Sequence, residues 1–126
     1  MILGIGTDIV SVERFRNSKV NMDQFAEKIL TDYELTEYKK LSYDHERHLA
    51  KRWAVKEAIS KAFGTGISGN TKFKSIELRH NANGQPIICF LDKLKDSVEV
   101  LSAKCHISIS DEGDTVIAYS VIEYRS

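Results

Sequence analysis

Hydrophobic positions follow two periods along this chain, helical in the first half and alternating in the second. Residues 1–6 form a short apolar run punctuated by Gly4 and Gly6. That pattern suits a strand approached closely by another backbone or by a ligand. Thr7 and Asp8 fall where this strand ends or bends, and residues 8–16 are predicted to turn into a short helix exposing Arg14 and Arg16. Asn21 has the character of an N-cap with Gln24 three residues on, and Phe25, Ile29 and Leu30 follow at helical spacing. Thr31-Asp32-Tyr33-Glu34 reads as a capping box, so Glu34 is expected to be structural, opening a helix through Leu35, Tyr38 and Leu41. A longer helix is predicted over residues 44–63, with Leu49, Trp53, Ile59 and Phe63 inward and Gly64 as its C-cap.

Beyond the loop that ends at Gly69-Asn70 the period changes. Residues 73–79 alternate as a strand, Asn83-Gly84 carries the hairpin signal, and residues 87–91 return. Asp92 is placed to cap a short helix burying Leu94, Val98 and Leu101. Residues 105–110 set Ile107 and Ile109 on one face and His106, Ser108 and Ser110 on the other. A polar turn at residues 111–114 leads into a closing strand over residues 115–124. The expected fold is an α+β domain, an antiparallel sheet packed with helices, spanning residues 1–126 as one unit.

Composition narrows the function classes. Lys plus Arg and Asp plus Glu each total 18, so no global field favours nucleic acid or a membrane surface. No apolar run approaches the ~18 residues of a membrane span, and no secretory signal pattern opens the chain, so a cytoplasmic protein is expected. Cys89 and Cys105 lack metal or redox spacing and are expected to serve as small core residues. His45 and His48 read as members of a solvated helix face.

The chemistry concentrates in Arg52-Trp53-Ala54-Val55-Lys56-Glu57-Ala58-Ile59-Ser60-Lys61-Ala62-Phe63, which runs into Gly64-Thr65-Gly66. Glu57 and Lys61 share a helix face, which by itself is a surface ion pair. Beside a glycine corner the same pair acquires a second reading, in which Lys61 reaches a phosphate held by loop N–H groups with the Ser60 hydroxyl beside it. Glu57, one turn deeper, would then coordinate a hard cation shared with that phosphate. Magnesium suits such a site, because it needs one or two carboxylates plus waters and substrate phosphates. Asp8 is either a turn or cap residue or, beside Gly6, the second carboxylate. His106 is a hydrogen-bonded or solvent-facing histidine, or a ligand contact. Arg14, Arg16, Lys19 and Lys28 are a solvated surface or a docking face for an acidic protein. The P-loop pattern and the third glycine of the dinucleotide fingerprint are missing, which disfavours an ATPase or a Rossmann enzyme.

Four blocks occur in order: Gly4-Ile5-Gly6-Thr7-Asp8-Ile9-Val10, Phe25-Ala26-Glu27-Lys28-Ile29-Leu30-Thr31, the segment from Arg52 to Gly66, and His106-Ile107-Ser108-Ile109-Ser110. Over almost its whole length the chain resembles the holo-acyl-carrier-protein synthases, the small bacterial branch of the 4'-phosphopantetheinyl transferase superfamily. The resemblance implies transfer of the phosphopantetheine arm of coenzyme A onto a serine of the apo acyl carrier protein of fatty acid synthesis, releasing adenosine 3',5'-bisphosphate. It further implies magnesium on Asp8 and Glu57, phosphate on Lys61, and a nucleotide held with help from Gly64, Thr65, Gly66 and His106. Carrier docking through Arg14 and a homotrimer with sites at subunit interfaces are implied as well. Pro86 is either a hairpin proline or part of an adenine pocket, and the proton acceptor is a metal-bound water, Glu57 or Asp8. Two other readings are weighed against this one: a binding module of the same fold without turnover, and a phosphotransfer or hydrolytic enzyme using another nucleotide.

Overall fold

A computed structural model describes residues 1–16 and 21–125 of the chain. The elements are β1 (Ile2–Ser11), α1 (Glu13–Arg16), α2 (Met22–Ile29), α3 (Asp32–Lys40) and α4 (His45–Ala62), then a single 3₁₀ turn, Phe73–Ser75. The second half comprises β2 (Ile76–His80), β3 (Pro86–Phe90), α5 (Asp92–Lys95), α6 (Val98–Leu101), β4 (Ala103–Glu112) and β5 (Thr115–Tyr124). Strands β1, β5 and β4 form one antiparallel sheet in that order, and β2 pairs with β3 in a separate hairpin. The α+β architecture with antiparallel pairing is as expected.

Helix α4 is the axis of the molecule. Leu49, Ala50, Ala54, Val55, Ala58 and Ile59 are buried along it, as are the polar Arg52, Lys56 and Ser60. Burial on several sides marks a central helix rather than a surface one. One side of α4 lies on the sheet, whose inner face presents Gly4, Gly6, Asp8 and Val10 from β1 and Val116, Ala118, Ser120 and Ile122 from β5. Glycine, alanine and serine are what let the helix come so close. A Cβ built on Gly4 would stand 1.9 Å from the Ala62 carbonyl oxygen, and one on Gly6 would stand 1.9 Å from that of Ala58. The backbone that approaches the glycine strand is therefore α4 itself.

Several boundaries differ from the sequence expectation. Strand β1 continues through Asp8 to Ser11 and only Glu13–Arg16 is helical, because residues 4–11 keep register with β5 from Gly4↔Ile122 to Ser11↔Thr115. Phe73–Ser75 is a 3₁₀ turn ahead of β2, not strand. Asp92 does not cap α5; Leu91 takes that position and Asp92 adopts a left-handed φ of 55°. Leu94 is buried as expected, whereas Leu101 is 65% exposed and Val100 packs on the core in its place. The Val98 side chain lies outside those described. Both cysteines are free and partly buried, and burial pushes the Cys105 thiol up to about 11.

Candidate active site

The Gly4–Gly6 contact brings β1 and α4 together at the residues singled out by their chemistry. Asp8 lies on the inner face of β1, two residues beyond Gly6, and Glu57 precedes the Ala58 that rests on Gly6. The Lys61 ammonium donates to Asp8 Oδ1 at 3.2 Å and to the Thr7 carbonyl at 3.1 Å. Its salt bridge is thus with Asp8 and not with its helix neighbour Glu57. Asp8 Oδ2 is buried without a hydrogen-bond partner among the described residues. Burial pushes the Glu57 carboxyl above its usual range, and the Asp8 charge adds to this, while Lys61 and Arg14 oppose it. A carboxyl raised by burial and by its acidic neighbour, beside a carboxylate with an unsatisfied buried oxygen, makes an oxygen-rich niche that suits a hard cation.

The glycine corner serves the helix end first. Gly64 and Gly66 adopt φ values of 78° and 63°, which favour glycine. The amides of Gly64, Thr65 and Gly66 donate to the carbonyls of Lys61 (2.9 Å), Ser60 (3.3 Å) and Ser60 (3.1 Å). These amides are spent on the C-cap, so the expected cradle of loop N–H groups is closed at these positions. Ser60 is likewise turned inward, its buried hydroxyl donating to the Glu57 carbonyl at 2.7 Å. The Thr65 hydroxyl is also engaged, with the Gly66 carbonyl at 2.8 Å and the Thr71 hydroxyl at 3.2 Å. This leaves Lys61 for a phosphate, near a cavity of about 300 Å³ lined by Phe63, Thr65, Asn70, Leu94 and Ser97.

Arg14 stands on the same side of α4. Its guanidinium lies 4.8 Å from the centroid of the Trp53 ring, and Trp53, Glu57 and Lys61 follow one another at four-residue spacing. Arg16 is neutralised by Asp44 and Asp114, at 3.8 Å and 3.6 Å. Lys28 is exposed, and Lys19 lies outside the described residues.

His106 is not part of this cluster. It projects from the outer face of β4, where Nε2 meets Glu123 Oε1 at 3.1 Å, whereas Asp8 faces inward from the opposite edge strand. Behind β4 is a second cavity of about 450 Å³, lined by Lys51, Arg52, His80, Pro86, Ser108 and Asp111 among others. Arg52 is buried there and its Nε has no partner among the described residues. Sequence reasoning missed Arg52. Its signal was the stripe His48, Arg52, Lys56, which recurs every four residues one face away from Glu57. His48 belongs to that stripe and is not solvated as expected: burial lowers its pKa to about 3 and it packs against Tyr38.

The profile of the 4'-phosphopantetheinyl transferase superfamily matches residues 4–119, and the chain belongs to this superfamily. Within it, the chain is 45% identical over 125 residues to a holo-[acyl-carrier-protein] synthase of Neisseria meningitidis serogroup A, covering 98% of this chain and 99% of the relative. A crystal structure of the Neisseria meningitidis synthase superposes with a TM-score of 0.90 at 43% identity, over 98% of this chain and 99% of that one. The Bacillus anthracis synthase, solved in complex with CoA (3',5'-ADP), superposes with a TM-score of 0.85 at 35% identity, over 99% of both chains.

Proposed function

We propose that this chain transfers the 4'-phosphopantetheine group of coenzyme A to a serine of apo acyl carrier protein, with magnesium held by Asp8 and Glu57. The observation that carries the reading is the meeting of Asp8, Glu57 and Lys61 at the glycine-lined contact of β1 with α4. Among the described residues no group of three or more His, Cys, Asp or Glu gathers as a metal cage. One or two carboxylates suffice for magnesium when a substrate pyrophosphate and waters supply the other oxygens. When bound, the ion would withdraw charge from the phosphate under attack.

The chain's own residues do the rest. The serine Oγ–phosphorus bond forms as the bond from that phosphorus to the bridging oxygen breaks, and the electron pair departs with adenosine 3',5'-bisphosphate. Lys61, half-exposed and tethered among the described residues to Asp8 and the Thr7 carbonyl, can turn its ammonium toward the pyrophosphate and stabilise that charge. The serine proton needs an acceptor, and the carboxylates of Glu57 and Asp8 are the groups at this site that could take it. The guanidinium of Arg52, buried with Nε unpaired, suits an anionic nucleotide end, with Lys51 and Pro86 on the same cavity wall.

Asp8 and His106 point to opposite sides of the sheet, which favours sites completed between copies. The outer sheet face carries Ile5, Ile9, Ile117 and Tyr119, each between 41% and 67% exposed. An uncovered apolar sheet face of this kind fits a homo-oligomer, here a trimer, in which His106 of one copy reaches the Asp8–Glu57–Lys61 site of the next.

The decisive experiment incubates the protein with apo carrier protein, coenzyme A and magnesium and weighs the carrier by mass spectrometry. A gain of one phosphopantetheine group is expected, and it should disappear in Glu57→Gln while the circular dichroism spectrum stays unchanged. No gain with folded wild-type protein would exclude the transferase reading. Full activity without divalent metal would exclude the role given to Asp8 and Glu57.

A further inference from the structure

We infer that Trp53 is a positioning residue for acceptor recognition, its ring holding the Arg14 guanidinium ready for the acidic face of the carrier protein. The inference rests on the carrier-protein reading above. Arg14 is exposed on α1, a helix of a single turn that cannot stiffen a long side chain by itself. Among the described residues it forms no salt bridge, in contrast to Arg16 two positions on, which Asp44 and Asp114 hold. What Arg14 does have is the Trp53 ring, 4.8 Å from the guanidinium carbon. A cation stacked on an aromatic face keeps its charge and most of its N–H donors available to an incoming anion.

The platform is itself rigid. Trp53 stacks on Phe73 at 4.8 Å between centroids, leans on Phe25 at 5.5 Å, and meets Phe15 edge-on at 6.2 Å. These rings come from the 3₁₀ turn, α2 and α1, so three segments fix the orientation of one indole. A core role alone would ask only for volume. The guanidinium over the ring is the additional feature, and it lies one helical turn from Glu57, where the charge of Arg14 is felt. The acceptor would thus be met beside the carboxylates that hold the metal.

Pre-ordering an arginine removes a rotamer cost otherwise met at docking, so losing the ring should raise the carrier KM by roughly three- to tenfold. Trp53→Leu should show that rise with kcat and the coenzyme A KM changed by less than about twofold, and Trp53→Phe, which keeps an aromatic face, should recover most of the affinity. Adding Arg14→Ala to Trp53→Leu should cost less than the sum of the single effects, because both act through one contact. Trp53 is the sole tryptophan of the chain, so its fluorescence reports the stack directly. Arg14→Ala should make it more accessible to acrylamide in the free, folded protein. If Trp53→Leu is folded and its carrier KM is unchanged, or if the two substitutions add fully, the inference is wrong. If Trp53→Leu does not fold, Trp53→Phe and the quenching of Arg14→Ala decide: unaltered quenching overturns the stack. Failure of the wild type to modify the carrier would instead overturn the transferase reading, which the quenching measurement does not depend on.

Discussion

Lys56 and Glu57 are neighbours in the chain with opposite fates, and the difference explains why the acid faces Asp8. The Lys56 ammonium is fully buried and donates to the Ile29 carbonyl (2.7 Å), Glu34 Oε1 (2.6 Å) and the Phe73 carbonyl (2.8 Å). All three of its donors are therefore used. Glu34 accepts in turn from the backbone amides of Thr31 and Leu78, both at 2.9 Å. The network ties α4 to α3 and β2 and sets its rotation, leaving Glu57 on the side of β1. Lys56→Met should therefore strand a buried carboxylate and cost about 3–5 kcal/mol in urea denaturation. Combining it with Glu34→Gln should recover part of that loss, and a single-mutant loss below about 1 kcal/mol would show that the pair does not hold the helix. Glu34 was legible from the Thr31-x-x-Glu34 capping box, which is local. Lys56 was not, because one lysine in a charged helix looks like any solvated lysine until the partners from residues 29, 34 and 73 are in place.

At the scale of elements, the close meeting of β1 and α4 is the feature that builds the site. Gly4 and Gly6 announced a close backbone approach, but periodicity does not name the partner. The small residues Ala58 and Ala62, four apart on the facing helix, complete the contact. The strand was also read too short, since a glycine-interrupted run hides the alternation that pairing with β5 imposes on Gly4, Gly6, Asp8 and Val10. Asp8 consequently gains a fixed inward direction that a turn residue would lack. Gly6→Ala tests this contact, because its new Cβ would meet the Ala58 oxygen at 1.9 Å and the Ala62 nitrogen at 2.7 Å, backbone atoms that cannot rotate away. Overpacking of this kind typically costs about 1–3 kcal/mol. The helix must retreat from β1, so transfer activity should fall by more than the change in folded fraction explains. Thermal melting together with activity at a temperature where the variant is fully folded separates the two, and unchanged activity would show that the close contact is dispensable to the site.

At the scale of the whole molecule, the sheet has one face on α4 and one that the described residues leave uncovered at Ile5, Ile9, Ile117 and Tyr119. Alternation over residues 105–110 was clear in the sequence, yet it could not say which polar residues would share a site, because His106 and Asp8 lie on different strands and opposite faces. Within one chain they stay apart. The apolar outer face, with Ile9 67% and Ile117 41% exposed, offers the surface on which copies would meet, and His106 lies on that face beside Val121. Ile117→Glu should place charges at the meeting point without touching the core, since the Ile117 side chain points away from α4. Light scattering after gel filtration should give three chain masses for the wild type and one for the variant, with the circular dichroism spectrum retained. Transfer should fall with trimer content, and His106→Ala in the wild-type trimer should weaken coenzyme A binding without dissociating it. A monomeric wild type with full activity would overturn the shared site, leaving His106 as a surface partner of Glu123.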